Sequence, residues 1–118
     1  LAVLPRLAYH DYEGIALNHD ERERLVADLG DKTLMLLRNH GTLAVGETAA
    51  NCWVGMFYLE RSCTMQVMAM SAGRENVLLA PESAQAEVRA QTGAGMGGAL
   101  AWPACLRKLD RESPGYDA

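Results

Sequence analysis

At 118 residues and a formal net charge of -4, the chain has room for one small domain or part of a larger one, and it carries no basic footprint for nucleic acid. Hydrophobic residues make up 49% and aromatics only 6%, so a packed core built on Ala, Leu and Met is expected, with helices favoured over disorder. The longest apolar run, within Ala49–Leu59, is too short to span a bilayer and meets Glu60-Arg61 at once, and no Lys/Arg cluster suggests a membrane surface.

The chain opens Leu-Ala-Val-Leu-Pro without a Met, which reads as an interior fragment, a processed chain or a trimmed one. Leu1–Ala8 lacks the long apolar core of a signal peptide and carries Pro5 and Arg6. A strand is expected through Ala8–Tyr12, then a bend at Glu13-Gly14 and an extended exit to Leu17. Asn18 to Gly30 gives a helix signal. Asn18 or Asp20 can cap it, and Asp20, Glu21 and Glu23 suit the positive end of its dipole. Leu25, Val26 and Leu29 supply an apolar stripe, and Gly30 closes the helix.

Thr33–Gly46 reads as two short strands joined by the tight corner Arg38-Asn39-His40-Gly41. A corner this tight predicts antiparallel pairing. Thr48 then caps a long helix reaching Ser71. In it Cys52, Met56, Leu59, Cys63, Val67 and Met70 recur at spacings of three and four, with Trp53, Phe57 and Met68 widening the stripe. That pattern predicts burial around most of the helix. Val77–Ala80 is a short apolar link. Pro81–Gln91 reads as an exposed helix with Pro81 at its first position. Thr92–Gly98 is a glycine loop, and Ala99–Leu109 a last helix anchored by Leu100, Trp102, Leu106 and Leu109, with Pro103 in its first turn. Residues 111–118 read as a flexible tail. Helices on a mixed or antiparallel sheet follow, an α/β class. With so few strands, the sheet edges need partners from another segment or subunit.

His40 is the leading site residue. A neutral imidazole can ligate zinc or act as a general acid or base, and a turn between two strands holds it rigidly yet accessibly. Asn-His-Gly also makes an ordinary turn, so the spacing alone leaves both readings open. One histidine cannot hold a catalytic metal, and the chain has no HxH and no HExxH. His10 beside Asp11 could form a supporting pair or a further ligand, whereas His19 reads as a solvated surface group. Asp11 and Glu13 share a face if extended. Tyr116 is a weak catalytic candidate that could reach a neighbouring site from the tail. The run from Gly93 to Gly98 formally matches G-x-G-x-x-G. No strand precedes it and too little chain follows for a dinucleotide fold, so no such cofactor is expected. Cys52, Cys63 and Cys105 form no CxxC, which leaves reduced buried thiols and a cytoplasmic setting.

The segments AYHDYEGIAL, LRNHGTLAVGET and YLERSCTMQVMAMSAG resemble the class II aldolase/adducin family, and ALAWPACLRKLDRESPGY resembles the end of its bacterial, adducin-like members. The resemblance runs from about Tyr9 to Tyr116. It implies an α/β/α layered fold with a mainly antiparallel sheet, of which residues 1–118 form a single partial domain, the C-terminal half. Catalytic members of the family are metal-dependent, usually zinc, lyases or epimerases acting on small sugar phosphates or related hydroxy-carbonyl compounds. Their metal sits on three histidines, and the third matches His40. The other two, in an upstream HxH, and an upstream acid have no counterpart here, so this chain alone should be inactive. The resemblance further implies a homo-oligomer, commonly a tetramer, with a small-molecule substrate and neither nucleic acid nor membrane as partner. The adducin side of the family implies an alternative, a non-catalytic oligomerisation or scaffold domain.

Overall fold

A computed structural model describes residues 3–14, 19–92 and 97–117. The expected exit strand at 15–17, the possible cap Asn18 and most of the glycine loop lie outside the described residues. Strand β1 is Leu7–His10, helix α1 Glu21–Leu29, β2 Leu34–Leu37, β3 Gly41–Ala44 and α2 Ala49–Met70. Helices α3, Glu82–Thr92, and α4, Gly98–Glu112, complete it. Short 3-10 turns occupy Leu4–Arg6 and Arg74–Asn76.

The sheet has the order β1-β2-β3. β2 and β3 are antiparallel, as the corner requires, while β1 joins β2 in parallel, because α1 carries the chain back to the same end of the sheet. The described sheet is therefore mixed. Register sorts the side chains into two faces: Leu7 lies beside Leu34 and Ala44, while Ala8 lies beside Met35 and His10 beside Leu37. Leu34 belongs to a core cluster with Val3 and Leu59, the latter from α2. His10, on the other face, is bonded to Asp28 of α1. The two helices thus cover opposite faces, which gives the α/β/α layering.

Each helix departs from its expected stripe for a physical reason. In α2 only Val54, Gly55 and Leu59 are buried, while Trp53, Phe57, Val67, Met68 and Met70 are exposed. A helix of 22 residues runs about 33 Å. Strands of four residues run about 13 Å, so the second half of α2 outreaches the sheet. In α1 no residue is fully buried and Val26 is exposed. Helix α4 begins at Gly98, so Pro103 lies inside it rather than in its first turn, and Leu100 is exposed instead of anchoring. Pro81 precedes α3 and accepts the Gln85 N–H, so it caps the helix rather than starting it. Glu112 ends α4, and Arg111 and Glu112 are helical, within what the sequence marks as tail.

Thr48 caps α2 as its sequence position requires. Its backbone is extended and its Oγ1 accepts the Asn51 N–H at 3.2 Å. Thr48→Ala is expected to cost about 1 kcal/mol, read from the urea midpoint, whereas Thr48→Ser should be nearly neutral because it keeps the acceptor.

Candidate functional site

The corner between β2 and β3 is a three-residue turn, closed by the His40 N–H donating to the Leu37 carbonyl at 3.0 Å. Asn39 takes a left-handed φ of 56°, the conformation its short amide side chain tolerates best after glycine. The turn therefore comes from Asn39 and not from Gly41. His40 is exposed on it, and its imidazole makes no hydrogen bond or ion pair with the described residues.

His40 lines a cleft of about 300 Å³ that also takes in His10 and His19. All three histidines of the chain thus border one cavity, including His19, which sequence reasoning set aside as surface. The first turn of α1 supplies Glu21 and Arg22, Leu25 and Leu37 supply apolar wall, and Tyr12 adds a phenol. A cleft with an apolar wall and a few converging polar groups is the ordinary form of a small-molecule site.

His10 is not paired with Asp11. It is buried at 4% exposure, and its Nδ1 meets Asp28 Oδ2 at 2.7 Å. The Asp28 hydrogen bond raises its pKa above the ordinary imidazole value, against the opposing effect of burial, with Glu21 and Glu13 adding to the rise. Asp11 instead meets the Arg38 Nε at 3.1 Å, and that guanidinium lies 5.5 Å over the Tyr9 ring. Glu13 is gripped by both ends of the Arg24 guanidinium, the Nε bond being 2.8 Å, and this pair holds the carboxyl below its usual range. Asp11 and Glu13 therefore serve different arginines rather than one ligand.

Sequence reasoning missed Asp28, Glu21 and Arg24. The signal was present: positions 21, 24 and 28 are spaced by three and four, so one side of α1 is a charged stripe. Tyr116 follows α4 and is not among the residues lining the cleft. Partial desolvation and the carboxylates of Asp110 and Asp117 push its phenol up, away from a phenolate. Of the glycine loop, Gly97 and Gly98 are described, and Gly98 is buried against α2. Among the described residues, no three His, Cys, Asp or Glu side chains gather as metal ligands. His40 fits a metal as a single exposed donor, and the described residues do not complete a cage around it. No described helix is long and apolar enough to cross a membrane.

The family model described as "Class II Aldolase and Adducin N-terminal domain" matches residues 2–67. The chain is 75% identical to the "Putative aldolase class 2 protein" of Caulobacter vibrioides, over 98% of this chain and 46% of that one. It is 35% identical to alpha-adducin of Rattus norvegicus, over 91% of this chain and 16% of that protein. The crystal structure of an aldolase II superfamily protein from Pseudomonas syringae superposes with a TM-score of 0.89 at 45% identity, covering 99% of this chain and 47% of that one. The chain spans about half the length of these bacterial relatives. Mixed sheet, layered helices and the His40 corner thus occur in a sequence matched along nearly its whole length by proteins of one group: the chain belongs to the class II aldolase and adducin family.

Proposed function

We propose that His40 supplies one ligand of a divalent-metal site, for zinc or another divalent ion, in an aldolase-type lyase or epimerase. Its substrates would be small sugar phosphates or related hydroxy-carbonyl compounds. The observation that carries this reading is an uncommitted imidazole on a rigid strand–turn–strand corner, facing a cleft of about 300 Å³. The remaining ligands would come from outside these 118 residues, in keeping with the half-length match to the relatives. A divalent ion there would act as a Lewis acid on a substrate carbonyl. Around it, Arg22 and Tyr12 offer hydrogen-bond donors to a polar substrate, and Leu25 and Leu37 exclude water from one side.

The test is metal analysis of the domain at the length of its relatives. Wild type should retain about one divalent ion per chain, and His40→Ala should lose most of it, since three protein ligands are usual. Equal metal content in the two would remove His40 from the ligand set. His19→Ala should leave metal content unchanged.

A second reading is an adducin-like oligomerisation domain without catalysis, favoured by the alpha-adducin match over nearly the whole chain. Both readings take the protein as a cytoplasmic homo-oligomer, a tetramer. Light scattering gives the assembly, and aldol cleavage assayed on the metal-loaded protein separates the two, because only the lyase turns over substrate.

A further inference from the structure

Helix α1 has half-buried leucines, Leu25 and Leu29, and charged contacts to β1 and the segment after it. None of its residues is fully buried, yet it forms the cleft wall through Glu21, Arg22 and Leu25. Beside the Arg24–Glu13 pair, the buried ring of His10 ties it to β1. One nitrogen, Nδ1, faces Asp28 at 2.7 Å near the end of α1. The other, Nε2, faces Glu21 at 3.5 Å in the first turn of α1 and Glu13 at 3.9 Å in the segment after β1. Nε2 is fully buried and makes no hydrogen bond.

A neutral ring does not suit this position. With its one proton on Nδ1 for Asp28, it would turn a buried lone pair toward two carboxylates. An imidazolium turns an N–H toward carboxylates on both sides. The neighbouring cations do not substitute for it, since Arg24 is engaged by Glu13 and Arg38 by Asp11. The charged and titratable groups around His10 are thus Asp28, Glu21, Arg22 and Arg24 on α1, His19 just before it, Asp11, Tyr12 and Glu13 after β1, and Arg38 and His40 at the corner.

We propose that His10, as an imidazolium, is a positioning residue that latches α1 onto β1, so that the α1 wall of the cleft loosens as pH rises. His10 makes its polar contacts with Asp28, Glu21 and Glu13, not with His40, so the latch stands whatever His40 binds. The sign follows from linkage. A histidine whose value is raised in the folded state contributes stability that is complete below its unfolded value, and that stability disappears as pH rises through the folded one. The window therefore opens above the ordinary imidazole value of 6.5.

The experiment is a pH series on the 118-residue chain, following His10 ring resonances together with amide-exchange protection corrected for intrinsic rates. Protection across Glu21–Leu29 should fall as His10 deprotonates, while that of Leu34–Leu37 holds. Asp28→Asn, at a half-exposed position that should not unfold the chain, is expected to lower His10's midpoint and cut α1 protection roughly fivefold at neutral pH. Glu21→Gln should shift the midpoint in the same direction. Protection of α1 that does not change as His10 titrates would overturn the latch, as would a midpoint indifferent to Asp28→Asn.

Discussion

Leu34→Ala is expected to lower stability by about 2–5 kcal/mol, against roughly 6–18 kcal/mol for a domain of this length. Leu34 is 1% exposed and forms the core cluster with Val3 and Leu59, with Leu7, Leu36, Ala44 and Cys63 around it. The upper part of the range applies because the site cannot collapse. Gly55 of α2 lies directly over Leu34: a Cβ on Gly55 would come within 3.3 Å of Leu34 Cδ2. The helix backbone already approaches as closely as the missing side chain allows, so deletion leaves a void instead of a repacked core. The site would feel the loss, because β2 anchored on α2 is what fixes the first arm of the His40 corner. Urea unfolding should show a lower midpoint with an unchanged slope. Leu78, 95% exposed, is the control, and its replacement by Ala should stay within about 0.5 kcal/mol. Equal effects at the two positions would mean that the cluster is not the core.

What the sequence made legible were features set by neighbours in the chain. Thr48 can cap only a helix that starts beside it, and Asn39 can turn only the strands that flank it. Both are found where short-range chemistry requires them, and so is the antiparallel β2–β3 pair. The site was legible in part for the same reason: His40 is placed by its own turn. The partners of His10 were not, because they are set by how α1 docks on β1, and that docking depends on 18 residues of separation to Asp28. A stripe of Glu21, Arg24 and Asp28 also violates the usual rule that the apolar side of a helix faces the sheet. The stripe on α2 misled for a different reason. Spacing tells which residues share a side, but not how far the surface that covers them extends. Four-residue strands cover only the first half of that helix.

Gly98→Ala should separate α4 from α2. An added Cβ would meet Asn51 Oδ1 at 2.5 Å, the Ala50 carbonyl oxygen at 2.8 Å and its carbon at 2.9 Å. The asparagine side chain can move aside, but the Ala50 carbonyl belongs to the first turn of α2 and cannot. Relief has to come from α4, which would pull Trp102 off the edge of Trp53, now 6.5 Å away centroid to centroid. Alanine normally gains up to about 1 kcal/mol over glycine within a helix, less at its first position. Overpacking costs about 1–3 kcal/mol, and a backbone contact puts this case at the upper end, so the clash decides the sign. Gly41→Ala is the matched control: nothing lies within 4 Å of its added Cβ, and the position needs no left-handed backbone. Melting temperatures should fall by several degrees for Gly98→Ala and stay nearly constant for Gly41→Ala. The consequence reaches the corner, because the half of α2 that Trp102 braces is the half that carries β3. Thr42 on β3, two residues past His40, donates to Met56 Sδ of that half at 3.2 Å. If Gly98→Ala melts like wild type, α4 does not brace that half of α2, and the corner must be held by β2 and α2 alone.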